Sequence, residues 1–236
     1  RVKDEIVEYY GLPPERVEVI YNGVDTEVFN PRNVEAFRNE FRQKHGIHED
    51  EVLILFLGSG FSRKGLVTLI RAAGILKATH WRDQPFRVCV VGKGRSKKYE
   101  AMAAQEGIAS SVLFAGPIDE PERALAGADI FALPSIYEPF GCVYLEAMAT
   151  GIPVIATRVA GASEVVQGTD AGAVVDDALS AGELAEKIAP YADAGLRAKA
   201  GLAGRAIAEE QSLDRKIEEL LNLYTQYVNR GAKHKR

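Results

Sequence analysis

The stretch P-S-I-Y-E-P-F-G-C-V-Y-L-E-A-M-A-T-G-I-P, from Pro134 to Pro153, decides how the chain is interpreted. An apolar run before it and another after it predict two strands of a buried sheet. Between these runs, Gly141 and Gly151 predict a helix that begins at the first glycine and ends just before the second. The stretch therefore predicts a strand, a polar turn, a helix and a second strand.

Two carboxylates occupy this stretch, Glu138 in the turn and Glu146 within the helix. In an open α/β sheet the helix N-terminus lies at the carboxyl edge of the strands, where it attracts anions. A ligand with an anion in its middle and hydroxyls at both ends, such as a nucleotide sugar, suits this arrangement. Taken one at a time, Glu138 could equally be a solvated loop residue and Glu146 a charge on the helix surface.

The segment E-P-F-G-C-V-Y-L-E, from Glu138 to Glu146, resembles the E-x7-E signature of retaining glycosyltransferases of the GT-B fold, family four. The motif is long and far more specific than a lone glycine pattern. The resemblance covers about residues 15 to 229 and is to the C-terminal, donor-binding half of such an enzyme. It implies that an N-terminal, acceptor-binding half is missing from this chain.

A second loop, G-S-G-F-S-R-K-G from Gly58 to Gly65, follows an apolar run that predicts the first strand. Arg63 occupies the third glycine position of a dinucleotide fingerprint, and Leu66 occupies the lysine position of a P-loop, so neither motif fits. Arg63 and Lys64 beside a helix N-terminus suit a diphosphate, although a solvated basic pair is the alternative. The loop resembles that of bacterial lipopolysaccharide core α-1,3-glucosyltransferases, in which an Arg and a Lys hold the diphosphate.

Strands alternate with helices along the chain, which predicts an α/β, Rossmann-like doubly wound sheet of six parallel strands. Right-handed crossovers and the strand order of the family that the chain resembles suggest the order 3-2-1-4-5-6, which puts the ligand crevice between strands one and four. The expected domains are residues 1–30 as a linker or edge segment, 31–230 as the nucleotide-sugar-binding domain and 231–236 as a disordered tail. Within the linker, residues 17–20 are expected to form a brief strand.

Composition narrows the classes of protein to which the chain could belong. The 236 residues carry a formal net charge of −4, so no basic surplus argues for nucleic acid. No apolar run reaches the ~20 residues of a transmembrane helix, and no signal peptide is visible. Cys89 and Cys142 are both expected to be reduced residues in or near the core, which fits a cytoplasmic protein. The chain lacks an initiator Met and is expected to be part of a longer one, with association with the inner membrane through the missing half left open.

Motifs for a metal or a covalent nucleophile are not found in the sequence. The four histidines have no ligand spacing, neither cysteine belongs to a Cys-x-x-Cys pair, and no G-x-S-x-G elbow occurs. There is also no Asp-x-Asp metal–diphosphate motif. We therefore expect no cofactor and no metal requirement, with Arg63 and Lys64 stabilising the leaving diphosphate.

The resemblance implies a hexose transfer with retention of configuration, from a nucleotide sugar, with UDP-glucose as the expected donor, to a glycan or lipid-linked acceptor. Three residues are expected to be catalytic: Arg63, Lys64 and Glu138. Eight are expected to bind the donor: Gly60, Gly116, Pro117, Phe140, Gly141, Cys142, Val143 and Glu146. The alternatives are a non-catalytic nucleotide-binding regulatory module and a GT-B nucleotide-sugar epimerase, although that epimerase group uses a different set of carboxylates.

Overall fold

The structure, a computed structural model, describes residues 1–233. Six strands form one all-parallel sheet in the order β3-β2-β1-β4-β5-β6, which confirms the predicted fold class and strand order. The strands are β1 (Val52–Leu57), β2 (Phe86–Val91), β3 (Val112–Gly116), β4 (Ile130–Leu133), β5 (Val154–Thr157) and β6 (Gly172–Val175).

Helices connect the strands and flank the sheet. They are α1 (Val2–Tyr10), α2 (Arg32–Lys44), α3 (Leu66–Ala78), α4 (Lys97–Gln105), α5 (Pro121–Gly127), α6 (Cys142–Thr150), α7 (Ser163–Val166), α8 (Ala181–Ile188), α9 (Ala194–Glu210) and α10 (Leu213–Lys233). Short 3₁₀ turns lie at Pro14–Arg16, Ala109–Ser111 and Ala189–Ala192.

The helices form two layers, one on each face of the sheet. Helix α3 contacts α4 and α8, whereas α6 contacts α5 and α9, and α5 also contacts α2. Strands between two such layers must bury both faces, which is why β1, β4 and β5 are continuous apolar runs. This two-sided burial positions the carboxyl ends of the central strands rigidly.

The strand order reverses at β1, which has β2 on one side and β4 on the other. Ile54 of β1 is in register with Val88 of β2 and with Ile130 of β4. The connections that leave β1 and β4 therefore diverge to opposite faces of the sheet and leave a gap at its carboxyl edge. In doubly wound sheets ligands bind at this switch point.

The segment before α2 differs from its prediction in one respect. Residues 17–20 carry no regular secondary structure, so the predicted short strand is wrong. An apolar run becomes a strand only when a neighbour supplies ladder hydrogen bonds. The linker is instead bonded to the rest of the chain at Val24. The N–H of Val24 donates to the carbonyl of Gln211 at 2.9 Å, and its carbonyl accepts the N–H of Leu213, the first residue of α10, at 3.0 Å.

Two helices leave apolar side chains in contact with solvent. Helix α1 exposes Tyr9 and Tyr10, and α10 exposes a stripe of Leu, Ile, Tyr and Val side chains at helical spacing. Helix α10 extends to Lys233, three residues into the segment expected to be a tail, and residues 234–236 lie outside the described part. Among the described residues, no helix has both the length and the apolar character needed to span a bilayer.

Candidate functional site

An open crevice of about 600 Å³ lies at the switch point, at the carboxyl ends of β1 and β4. Two loops supply most of its lining, the one between β1 and α3 and the one between β4 and α6. The lining residues are Asn22, Leu57, Gly58, Ser59, Arg63, Lys64, Pro121, Glu138, Pro139, Phe140, Gly141, Cys142, Val143 and Glu146. Residues that lie more than eighty positions apart in the sequence thus share one surface.

The two loops are bonded directly to each other. The backbone N–H of Ile136 donates to the carbonyl of Arg63 at 2.8 Å, and Arg63 Nη1 donates to the carbonyl of Tyr137 at 2.8 Å. Gly65 allows this approach, because a Cβ at that position would lie 1.8 Å from the carbonyl oxygen of Pro134. Gly65 also has φ 75°, a conformation that side-chain-bearing residues rarely adopt. Backbone contacts between the two loops therefore fix the shape of the crevice.

Three charged side chains meet inside the crevice. Lys64 Nζ forms a direct ion pair with Glu138 Oε2, and Arg63 Nη1 lies 3.7 Å from the same oxygen. The side chains of Lys64 and Glu138 are 13% and 10% exposed, whereas that of Arg63 is 51% exposed. Glu138 is thus a buried carboxylate with a cation partner, and not the solvated loop residue that the sequence alone left possible.

Helix α6 directs its N-terminus at this cluster. Gly141 precedes the helix with φ 88°, and no side chain caps the first turn. The first amide groups of a helix have no partner within it and carry the positive end of its dipole, so they attract anions. The amides of Cys142 and Val143 occupy this position, and both residues line the crevice together with Arg63 and Lys64.

The two cysteines have different environments, which corrects one prediction. Cys89 lies on β2 and is fully buried, and burial raises the pKa of its thiol to about 12. Cys142 is exposed at the mouth of the crevice and does not belong to the core. Its apolar neighbours in sequence indicated burial, but the first residue of α6 lies beyond the edge of the sheet.

Glu146 lies about one turn beyond Cys142 along α6 and also lines the crevice. Burial raises the pKa of its carboxyl above the ordinary value, and the nearby charge of Glu122 raises the pKa further. No ion pair of Glu146 is found within the described part of the chain. The carboxylate is therefore held in the crevice at a cost, which is typical of functional sites.

The linker before α2 contributes residues that the sequence analysis did not assign to the site. Asn22 Nδ2 donates to Cys142 Sγ at 3.1 Å, and the Tyr21 ring packs against Phe140 with centroids 5.8 Å apart. Tyr21 Oη donates to Glu164 at 2.5 Å, a bond that raises the pKa of Tyr21 to about 12 and lowers that of Glu164. Nothing local to the Tyr-Asn-Gly sequence signals these contacts.

Three of the predicted donor-binding residues lie outside the crevice lining. Gly60 is exposed in the loop after β1. Gly116 ends β3, where its carbonyl accepts the N–H of Gly92 at 2.9 Å. Pro117 lines a second cavity of about 270 Å³ between α2 and the start of α5. The crevice as it stands thus gathers eight of the eleven predicted residues.

Among the residues that the structure describes, no group of three or more His, Cys, Asp or Glu side chains could hold a metal ion. The charges that face the crevice are those of Arg63, Lys64, Glu138 and Glu146. Two fixed cations and a helix N-terminus can hold the phosphates of a ligand. Two carboxylates can accept hydrogen bonds from its hydroxyl groups.

Known proteins are similar to this chain in sequence and in fold. Residues 37–207 match the family described as Glycosyl transferases group 1. An uncharacterised glycosyltransferase of Methanocaldococcus jannaschii is 34% identical over 169 residues, which cover 70% of this chain and 42% of that protein. The lipopolysaccharide glucosyltransferase WaaG of Escherichia coli is 31% identical over 178 residues, covering 75% of this chain and 47% of that protein.

Solved structures show the same architecture. A crystal structure of WaaG, a glycosyltransferase involved in lipopolysaccharide biosynthesis, has a TM-score of 0.81 at 28% identity and covers 93% of this chain and 59% of that one. Anabaena HepE, crystallised in complex with UDP-glucose, has a TM-score of 0.78 at 25% identity and covers 95% of this chain and 61% of that one. The chain spans about half the length of the curated relatives it matches.

Proposed function

This chain belongs to the glycosyl transferases group 1 family, and we propose that it is the donor-binding half of a retaining hexosyltransferase. The donor is a nucleotide sugar, with UDP-glucose favoured, and the acceptor is a glycan or a lipid-linked glycan. The observation that carries the proposal is one crevice in which Arg63, Lys64 and the N-terminus of α6 face the same space. The likeness to a lipopolysaccharide glucosyltransferase and to a protein crystallised with UDP-glucose supports the choice of donor.

The cations act on the leaving group. When the bond between the sugar and the diphosphate breaks, negative charge develops on the phosphate oxygen that departs. Arg63 and Lys64, together with the α6 amides, neutralise that charge in fixed positions and so stabilise the transition state. We propose that this arrangement needs no metal ion.

The other groups position the donor. Glu138 and the backbone amides of residues 140–143 bind the sugar hydroxyls, and Glu146 binds the ribose hydroxyls. The turn at Gly116 and Pro117 contacts the base, largely through its backbone. Under this assignment the donor extends along the switch point from α6 toward the end of β3.

Sugar transfer requires a second half of the enzyme. An acceptor must be held against the anomeric carbon and water must be excluded, and the open crevice does neither. The exposed apolar side chains of α1 and α10 offer a surface that an N-terminal half could cover. The isolated chain should therefore bind nucleotides but transfer no sugar, and acceptor-dependent turnover by it would contradict the two-domain mechanism.

Calorimetric titration with UDP, ADP and GDP tests the proposal directly. We expect weak binding of at least one of them, with UDP favoured and with the same affinity in the presence of EDTA. Loss of affinity in EDTA that Mn²⁺ or Mg²⁺ restores would show that the metal-free arrangement is wrong. A chain that binds none of the three nucleotides would not be a donor-binding domain.

A substitution of Glu146 tests the ribose assignment. Glu146→Ala should weaken the binding of UDP and leave that of inorganic pyrophosphate nearly unchanged, because pyrophosphate has no ribose. Glu186→Ala, which removes an exposed carboxylate from α8, is the matched control and should change neither. If Glu146→Ala weakens pyrophosphate as much as UDP, the carboxylate does not bind the ribose.

A further inference from the structure

Lys64 already has a partner within the protein. Its ammonium pairs with Glu138, and both side chains are nearly buried. Arg63 lies 3.7 Å from the same carboxylate oxygen. A diphosphate that binds these two cations must therefore share them with a carboxylate, and this competition belongs to the site itself.

Glu138 cannot move away easily, because its backbone is fixed on both sides. Its carbonyl accepts the N–H of Gly161 at 3.0 Å, and the residue forms a bridge with Ala160. The next turn is equally tight, since a Cβ on Gly161 would lie 2.1 Å from the carbonyl oxygen of Pro139. Any ligand that takes Lys64 must leave the Glu138 carboxylate close to its phosphates.

The two ligands of this site differ in charge at that position. In a nucleotide sugar the terminal phosphate is esterified and the sugar brings hydroxyl groups that can donate to a carboxylate. In the free nucleoside diphosphate the electron pair of the broken bond stays on the phosphate oxygen, which adds about one negative charge near neutral pH. A buried carboxylate close to that oxygen repels the added charge.

We propose that Glu138 makes the site discriminate against the free nucleoside diphosphate and in favour of the nucleotide sugar, so that it promotes release of the product. This inference rests on the proposed function, because it requires that the crevice bind a nucleoside diphosphate. Before the donor binds, the Glu138 carboxylate pairs with Lys64. When the donor binds, the carboxylate accepts hydrogen bonds from the sugar hydroxyl groups. After transfer the sugar hydroxyl groups are gone and the diphosphate still occupies Lys64. The carboxylate then repels the diphosphate, and the product leaves.

Calorimetric titration of Glu138→Gln with UDP and with UDP-glucose tests the inference. The substitution keeps the size of the side chain and one acceptor oxygen, replaces the other oxygen with an NH2 donor, and removes the charge. We expect the ratio of the two dissociation constants to shift toward UDP by about tenfold, the effect of removing one like charge in a screened site. Equal changes for both ligands would show that Glu138 serves only to hold the loop.

Glu51→Gln is the matched control. Glu51 forms a similarly buried ion pair with Arg87 at 2.8 Å, but at the start of β1, away from the crevice. Loss of that pair should leave the ratio of the dissociation constants of UDP and UDP-glucose unchanged. A shift in this control as large as in Glu138→Gln would mean that general loosening of the fold changes the ratio.

A measurement on the unaltered chain covers the case in which Glu138→Gln does not fold. The β-methyl ester of UDP has the charge of the donor without its sugar. It should bind at least as tightly as UDP, although UDP carries more charge toward two cations. UDP binding measurably tighter than the ester would overturn the inference. Binding of neither ligand, nor of ADP or GDP, would instead reject the proposed function.

Discussion

Clusters of charged side chains lie at both edges of the sheet, and they differ in how fully their charges are paired within the protein. At the amino edge, Asp129 accepts the N–H of Leu53 at 2.8 Å and pairs with Arg38 and Arg42 at 2.8 and 3.1 Å. Arg42 also donates to the carbonyl of Gly127 at 3.0 Å. Burial lowers the pKa of Arg42, a cost that the charge of Asp129 partly offsets. These charges are therefore paired with one another within the protein.

At the carboxyl edge the charged side chains are incompletely paired. Arg63 and Lys64 share the single carboxylate of Glu138, and half of the Arg63 side chain is exposed to the crevice. Glu146 lies nearby with its pKa raised by burial. Charged residues alone therefore do not identify a ligand site, whereas incompletely paired charges on a concave surface do. Changes to the amino-edge charges should therefore affect mainly stability. Loss of Lys64 should affect mainly binding, because Arg63 remains 3.7 Å from the Glu138 carboxylate.

The largest effect is expected from Asp129→Asn. Removing one partner of a buried ion pair leaves the other charge uncompensated, which costs about 3–5 kcal/mol in the free energy of unfolding. Urea unfolding measures this loss, and Asp176→Asn is the control because Asp176 and its partner Arg158 are both more than half exposed. That control should lose at most about 1 kcal/mol. A loss for Asp129→Asn no greater than that of the control would mean that the amino-edge cluster is not structural.

The next effect concerns Lys64→Ala and is one of binding. Loss of a charge-assisted hydrogen bond to a phosphate should weaken the binding of UDP by about 1.5–3 kcal/mol, as measured by titration calorimetry. Lys199→Ala, which removes an exposed lysine paired with Asp170, should leave the affinity unchanged. If Lys64→Ala lowers stability as much as Asp129→Asn while UDP still binds, the contrast between the two edges fails.

A backbone change at Gly161 should affect stability and binding together. Its Cβ would overlap the carbonyl oxygen of Pro139, so Gly161→Ala must displace the loop that carries Glu138. Overpacking of this kind costs about 1–3 kcal/mol, measurable by urea unfolding. Gly182→Ala in α8 is the control, because nothing lies within 4 Å of its added Cβ and alanine favours helix. Equal stability of the two variants would indicate that the loop is free to move.

The smallest effect is expected from Glu146→Gln, and it should be a gain in stability. Burial and Glu122 raise the pKa of this carboxyl in the folded state, so its ionised form is favoured in the unfolded chain. Glu146 therefore costs stability at neutral pH, and the cost disappears as the pH falls below the pKa of the unfolded chain. The urea midpoint of Glu146→Gln should exceed that of the unaltered chain at pH 7 and converge with it near pH 4. A difference that grows on acidification would have the wrong sign.

Much of the fold could be predicted because its signals are local. The continuous apolar runs of β1, β4 and β5 predicted these three strands, and Gly141 and Gly151 predicted both ends of α6. The prediction failed at residues 17–20 because an apolar run does not show whether a neighbouring strand is present. It failed for Cys142 for a similar reason, since sequence neighbours do not show where the edge of the sheet lies.

The amino-acid sequence by itself determined the alternation of strands and helices and the presence of two cations and two carboxylates next to them. The handedness of the connections then follows from general rules for parallel sheets, whereas the strand order was expected from the resemblance to the glycosyltransferase family. Only the tertiary structure decided that Lys64 pairs with Glu138, 74 residues away, and that Tyr21 and Asn22 of the linker contact the loop of the crevice. Such contacts depend on the packing of whole layers and on burial of charge, and neither is encoded in the period of a local pattern.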